Sequence, residues 1–189
     1  MRIVGGSARG RRLKSPPGSV RPTSGRVREA LFSILQNNID ISNARFLDLF
    51  AGSGAIGLEA LSRGARQVVF VDENPARTAA ITKHLETFGW KNRALVFRQT
   101  AKRFLSNVRE PFDIVFVDPP YHSGQASMTA NLISENNSES NSENKLVQHN
   151  GVLVFEHPSS SLVNKRIYGF LPAKRYKYGD TTLSVYKLE

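Results

Sequence analysis

Residues 45–57 read RFLDLFAGSGAIG: an apolar run carrying Asp48, glycines at 52, 54 and 57, then helix-forming residues. RFLDLF has the length and apolar content of a buried strand. AIGLEALSR, which continues the stretch, reads as a helix closed by Gly64. A strand that passes through G-x-G-x-x-G into a helix opens a doubly wound α/β fold. Its glycines allow a tight turn and bring a ligand close to backbone N–H groups at the helix N-terminus.

The same rhythm extends outward. QVVFVD (67–72) is a second strand, followed by Asn74 as a helix cap, Pro75 at the first helical position and Gly89 as terminator after Phe88. ALVFR (94–98), DIVFVD (113–118) and VLVFE (152–156) are the third, fourth and fifth strands. Near-continuous apolar strands with helices between them predict a parallel sheet covered on both faces. Upstream, TSGRVREALFSILQ places Val27, Ala30, Leu31, Ile34 and Leu35 on one helical stripe, with Thr23 or Ser24 as cap and Arg26 and Arg28 off the stripe. Downstream, KRYKYGDTTLSVYKL is two alternating runs about Gly179-Asp180, a hairpin.

Two segments stand outside this pattern. Residues 1–22, rich in Gly, Arg, Ser and Pro, read as a basic arm or small hairpin ahead of a single domain over 23–189. Residues 134–144 contain only Ser, Glu and Asn, cannot bury apolar surface, and are expected to form a disordered surface insertion.

A chain of 189 residues with 40% hydrophobic content supports a packed core. It has no cysteine, which excludes disulfides and thiolate metal sites and suits a reducing compartment. No apolar run approaches the roughly 20 residues that span a bilayer, and the charged N-terminus lacks a signal-peptide core. A soluble cytoplasmic protein is the expectation. The net charge of +10 is uneven: residues 1–30 hold eight Arg and Lys against one acid, Glu29. That imbalance predicts a polyanionic partner, and the arm has no apolar stripe that would suit a membrane surface.

Asp72 ends the second strand, where a carboxylate can accept hydrogen bonds from the ribose hydroxyls of a nucleoside ligand. Glycine turn and ribose acid together admit NAD or S-adenosylmethionine. The fourth strand separates them. It ends in Asp118, expected beside the glycine turn, followed by Pro119, Pro120 and Tyr121. Proline has no N–H and pushes the residue before it toward extended backbone. The segment therefore offers acceptors, the Asp118 carboxylate and a fixed carbonyl, beside a ring on which a base can stack. An exocyclic amine on a nucleobase is the matching guest. Accepting its protons at Asp118 and the Pro119 carbonyl favours a tetrahedral nitrogen with its lone pair aimed outward. A sulfonium methyl held in line then makes transfer a matter of positioning, with no metal required.

DLFAGSGAIG (48–57), Asp72 and DPPY (118–121) in this order resemble a class I S-adenosylmethionine-dependent methyltransferase acting on an exocyclic amine. RIVGGSARGRRL (2–13), RPTSGRVREALFSIL (21–35) and DLFAGSGAIGLEALSRGA (48–65) are similar to the bacterial 16S ribosomal RNA guanine-N2 methyltransferase family. The resemblance is strong over residues 2–121 and weaker through GVLVFEH (151–157) and YGDTTLSVY (178–186). It implies a Rossmann-like, mostly parallel seven-stranded sheet with an antiparallel C-terminal strand, S-adenosylmethionine as cofactor, and transfer of a methyl group to N2 of a guanine. The implied substrate is 16S rRNA in the small ribosomal subunit or an assembly intermediate, and the chain is expected to act as a monomer.

By the same resemblance, Ala51, Gly52 and Gly54 lie under the methionine part of the cofactor, and Thr23 approaches it. Asp48 orders the turn or meets the amino group, and Asp72 holds the ribose. Asp118, Pro119, Pro120 and Tyr121 hold the base. Arg9, Arg11, Arg12, Lys14 and Arg21 are the cations placed to hold RNA phosphates. Two features depart from the family. Gln99 and Thr100 stand after the third strand where an Asp or Asn commonly meets the adenine amine, and the Ser/Glu/Asn insertion follows the fourth strand. DPPY is shared with N6-adenine methyltransferases, which keeps adenine as the alternative base. An RNA-binding module without chemistry is the alternative from another class.

Overall fold

The computed structural model describes residues 1–14, 23–120, 124–137, 145–160, 167, 169–171 and 174–188. Apolar residues in consecutive positions leave a strand no solvent face, and the structure uses them so. In β1 (Arg45–Leu49), β2 (Gln67–Asp72) and β4 (Phe112–Val117), every residue but one is buried. With β3 (Ala94–Arg98), β5 (Val147–Pro158), β6 (Lys174–Tyr178) and β7 (Thr181–Lys187) they form a seven-stranded sheet in the order β3-β2-β1-β4-β5-β7-β6. Strands β1 and β2, β2 and β3, and β4 and β5 pair in parallel. β7 runs antiparallel to β5 and β6, and Gly179-Asp180 turns the β6–β7 hairpin. The α/β fold with an antiparallel C-terminal strand agrees with the sequence reading. β3 departs from the expected double cover: it is the edge strand, and Leu95 and Phe97 remain 45% and 38% exposed.

The chain divides into two compact units, Met1–Thr100 and Ala101–Glu189. In the first, α1 (Gly25–Gln36) starts at Ser24, whose hydroxyl accepts the Val27 N–H at 3.2 Å. The predicted stripe is buried except Ala30, and Phe32 stacks on Phe46 of β1 at 6.4 Å. Arg28 adds a feature that spacing does not show. It falls off the apolar stripe by spacing, yet is 2% exposed, because its guanidinium pairs with a buried carboxylate on α2 (Ala55–Ser62). α3 (Pro75–Phe88) has the ends read from sequence: Asn74 Oδ1 accepts from Ala76 and Arg77, and Gly89 closes the helix at φ 71°.

The N-terminal residues 1–14 form a closed loop rather than a free arm. Arg2 bridges Arg12, Ile3 N–H donates to the Arg11 carbonyl, and Leu13 N–H donates to the Met1 carbonyl. Ile3, Ala8 and Leu13 are buried.

In the second unit, two helices lack a strong sequence signal: α4 (Ala101–Leu105) and α5 (Gln125–Asn136). Helix α5 takes in Ser134–Asn136, the first residues of the segment expected to be disordered. The next residue, Asn137, is buried; its amide donates to the Ile133 carbonyl and its Oδ1 accepts the Val147 N–H. Residues 138–144 lie outside the described ones. β5 begins five residues before VLVFE because a bulge intervenes. Phe112 pairs with Val147 but Ile114 pairs with Val152, and Asn150 takes φ 62°. Among the described residues, no helix is long and apolar enough to cross a membrane.

Candidate active site

Beyond Leu49, the last residue of β1, the first unit turns sharply. Phe50, Gly52 and Gly54 all have positive φ, at 69°, 56° and 73°. A bulky residue in this region is a true outlier and costs about 1–3 kcal/mol, so the surroundings hold Phe50 there. Two glycines are demanded by contact. A Cβ on Gly54 would lie 2.7 Å from Ile81 Cγ1, and one on Gly57 would lie 2.2 Å from the Phe70 ring. A Cβ on Gly52 would meet only the Phe50 carbonyl oxygen at 3.9 Å, which leaves room beside the turn.

The N–H groups of this turn are largely spent within the protein. Ala51 donates to the Val71 carbonyl at 2.9 Å and Gly54 to the Ala51 carbonyl at 2.7 Å. Gly52 donates to Asp72 Oδ2 at 2.8 Å, and Gly57 donates to Asp48 Oδ2 at 2.9 Å. Asp72 Oδ1 also takes the Asn74 N–H at 2.9 Å, and Arg77 Nη1 stands 3.5 Å from Oδ2. The structure thus brings Asp48, Ala51, Gly52, Gly54 and Asp72 into one hydrogen-bonded turn. Both acids are buried. Burial pushes the Asp48 pKa up to about 7; the Gly57 N–H opposes this and the nearby Asp72 charge adds to it.

The other predicted residues of this unit stand outside that turn. Thr23 is half-buried and directly precedes the α1 cap. Gln99 is half-buried and Thr100 exposed, just past β3. Arg9, Arg12 and Lys14 are exposed on the N-terminal loop. Arg11 is exposed too, but it stacks over the Phe88 ring at 4.0 Å and donates to the Thr87 carbonyl. Arg21 lies outside the described residues.

In the second unit, Asp118 directly follows β4 and is half-buried; Pro119 is buried and Pro120 exposed. Tyr121 lies outside the described residues. Buried polar groups accompany the neighbouring strands: Glu156 and His157 close β5, and His157 Nε2 meets Ser184 Oγ at 2.8 Å.

One group was not singled out by sequence reasoning. Glu59 of α2 is fully buried and accepts the Val4 N–H at 2.9 Å, the Gly5 N–H at 2.7 Å and Arg63 Nε at 3.0 Å, while Arg28 Nε lies at 3.5 Å. A signal existed: a single acid within an otherwise apolar helix must be paired if that helix is buried on all sides.

The chain is similar to known proteins over most of its length. A family model described as conserved hypothetical protein 95 matches residues 1–187. Ribosomal RNA small subunit methyltransferase D of Escherichia coli (strain K12) is 45% identical over 138 residues, which span 72% of this chain and 68% of that protein. The protein of the same name from Haemophilus influenzae is 33% identical over 181 residues, 89% of this chain and 93% of its own. The solved structure of YhhF from Escherichia coli is 33% identical with a TM-score of 0.84, covering 100% of this chain and 98% of that one.

Proposed function

The chain belongs to the conserved hypothetical protein 95 family, and on that premise we propose that it methylates the exocyclic N2 amine of a guanine in 16S rRNA, with S-adenosylmethionine as donor. The names of its relatives support small-subunit rRNA as the substrate class. The observation that carries the cofactor is that carboxylates, not free N–H donors, line the glycine turn. Two buried carboxylates occupy it, and they already take the Gly52 and Gly57 N–H groups. A dinucleotide would bring phosphate anions to this place. S-adenosylmethionine brings a sulfonium and an ammonium instead, so the donor set fits it.

The cofactor, when bound, supplies an electrophilic methyl group. Asp72 uses its remaining lone pairs to accept from the ribose hydroxyls. Asp48 orders the turn through Gly57 and faces the cofactor's ammonium. Ala51, Gly52 and Gly54 shape the floor, Thr23 approaches the methionine end, and Gln99 or Thr100 meets the adenine. Asp118 and the Pro119 carbonyl accept the protons of the guanine amine, Pro120 stiffens the segment and Tyr121 stacks on the base. Asp118 would take the proton that the nitrogen sheds as its bond to the methyl carbon forms and that carbon's bond to sulfur breaks, leaving a neutral thioether. The base must leave any stack to reach these groups, at a cost of a few kcal/mol. Arg9, Arg11, Arg12, Lys14 and Arg21 hold phosphates.

Incubation with labelled S-adenosylmethionine and undermethylated small subunits, followed by nucleoside analysis, tests the reading. N2-methylguanosine is the expected product. N6-methyladenosine would move the assignment to the adenine enzymes that share DPPY. RNA binding with neither cofactor binding nor product would leave a module without chemistry.

A further inference from the structure

The cations of the N-terminal loop stand on an unusually well-held backbone. Glu59 accepts two successive N–H groups, those of Val4 and Gly5, and is wholly buried in doing so. About one helical turn along α2, Ser62 completes the clasp: its hydroxyl donates to the Gly5 carbonyl and accepts the Ala8 N–H, and its own carbonyl accepts the Ser7 N–H at 2.8 Å. Arg28 adds a bond from Nη2 to the Arg2 carbonyl. At the other end, Arg11 binds Thr87 and Phe88 of α3, and His84 Nε2 meets the Lys14 carbonyl at 3.0 Å. Gly6, at φ 75°, sits so close to α2 that a Cβ there would fall 2.0 Å from the Ser62 carbonyl oxygen. Exposed on this frame are Arg9, Arg12 and Lys14.

We propose that Glu59 is a positioning residue for RNA: by clasping residues 4–8 onto α2 it presents Arg9, Arg12 and Lys14 as a preformed surface for the phosphate backbone. The proposal rests on the rRNA reading above. A loop left free in solution would carry the same three charges but would have to be ordered on binding. Ordering a free loop costs conformational entropy, so a clasped loop binds more tightly with no added contact.

Two variants test this by different routes. Glu59→Gln weakens the clasp at its acceptor. It also strips the charge partner from buried Arg28, so a fold measurement must accompany it. Gly6→Ala leaves Glu59, Arg28 and every surface cation in place and forces the loop off α2 by a clash with backbone. A third variant, Arg9→Ala/Arg12→Ala/Lys14→Ala, removes the charges and leaves the clasp. The probe is a 16S rRNA transcript titrated across a salt series, with S-adenosylmethionine affinity and melting temperature measured in parallel.

In folded Gly6→Ala, RNA affinity should fall about tenfold, with the slope of log affinity against log salt unchanged, since the phosphate contacts are the same in number. The triple variant should instead lose up to about 0.7–0.9 of slope per contact. Gly6→Ala with wild-type RNA affinity, while the triple variant binds weakly, would overturn the role of Glu59 and leave the rRNA reading standing. Failure of the wild-type chain to bind, or a triple variant that binds as well as wild type, would overturn the reading itself.

Discussion

Replacing Asp118 with Ala removes the carboxylate proposed to face the amine and leaves the proposed cofactor residues in place. Turnover should fall by well over one decade, more than about 1.4 kcal/mol of barrier, with S-adenosylmethionine affinity unaltered. A variant keeping a tenth or more of wild-type turnover would take Asp118 out of the chemistry. Asp72→Ala should do the reverse. It removes the acceptors proposed for the ribose hydroxyls, each worth on the order of 1.5–3 kcal/mol, and also unties the Gly52 and Asn74 N–H groups. Calorimetry should show cofactor affinity down at least tenfold; native-like affinity would exclude Asp72 from the site. The two acids differ in how they could be read. Both stand at strand ends in the sequence, but only folding shows that Asp72 already holds two backbone N–H groups before any ligand arrives.

At the scale of elements, the insertion after α5 gives a sharp comparison. Excising residues 138–144 and rejoining the chain should leave melting temperature and activity close to wild type, since these residues are Ser, Glu and Asn alone and loop length costs little. Excising 134–144 should cost several degrees more, because it also removes the last turn of α5 and Asn137, which satisfies the buried Val147 N–H. Equal melting temperatures for the two deletions would deny Asn137 that role. The same helix shows what was legible. Strands β1, β2 and β4 and helix α3 could be read because their signals are local: continuous apolar runs, an Asn-Pro start, a Gly stop. Helix α5 buries only Thr129, Ala130 and Ile133, too sparse a stripe to announce itself. The start of β5 depends on a bulge at Asn150, which the partner strand reveals and the segment does not. The clasp of Glu59 on Val4 and Gly5 spans more than fifty residues and uses backbone donors, which carry no sequence signature.

For the molecule as a whole, Asp48 ties stability to pH. Its folded pKa stands near 7 against an ordinary 3.8, chiefly through burial. Between about pH 4 and pH 7 the folded chain therefore keeps a proton that the unfolded chain gives up. Stability must fall as pH rises through that window and level off above it, by at most about 4 kcal/mol. His157 works in the opposite sense. Burial lowers its pKa below 6.5, with the Pro158 carbonyl opposing and Arg175 adding, so its contribution is present above pH 6.5 and is lost as pH falls. Melting temperature against pH should show both limbs in the wild-type chain. In Asp48→Asn, whose amide oxygen can still take the Gly57 N–H, only the His157 limb should remain. Parallel curves for the two proteins would mean that Asp48 ionises in the folded chain as it does in water. The same group makes cofactor binding pH-dependent if the ligand's ammonium faces it. A cation favours the carboxylate, so binding expels the Asp48 proton, and affinity for S-adenosylmethionine should climb from about pH 5 to pH 7 and then flatten. In Asp48→Asn the affinity should be lower and level across that range. A wild-type affinity that stays level as well would confine Asp48 to ordering the turn through Gly57, with the ammonium held elsewhere.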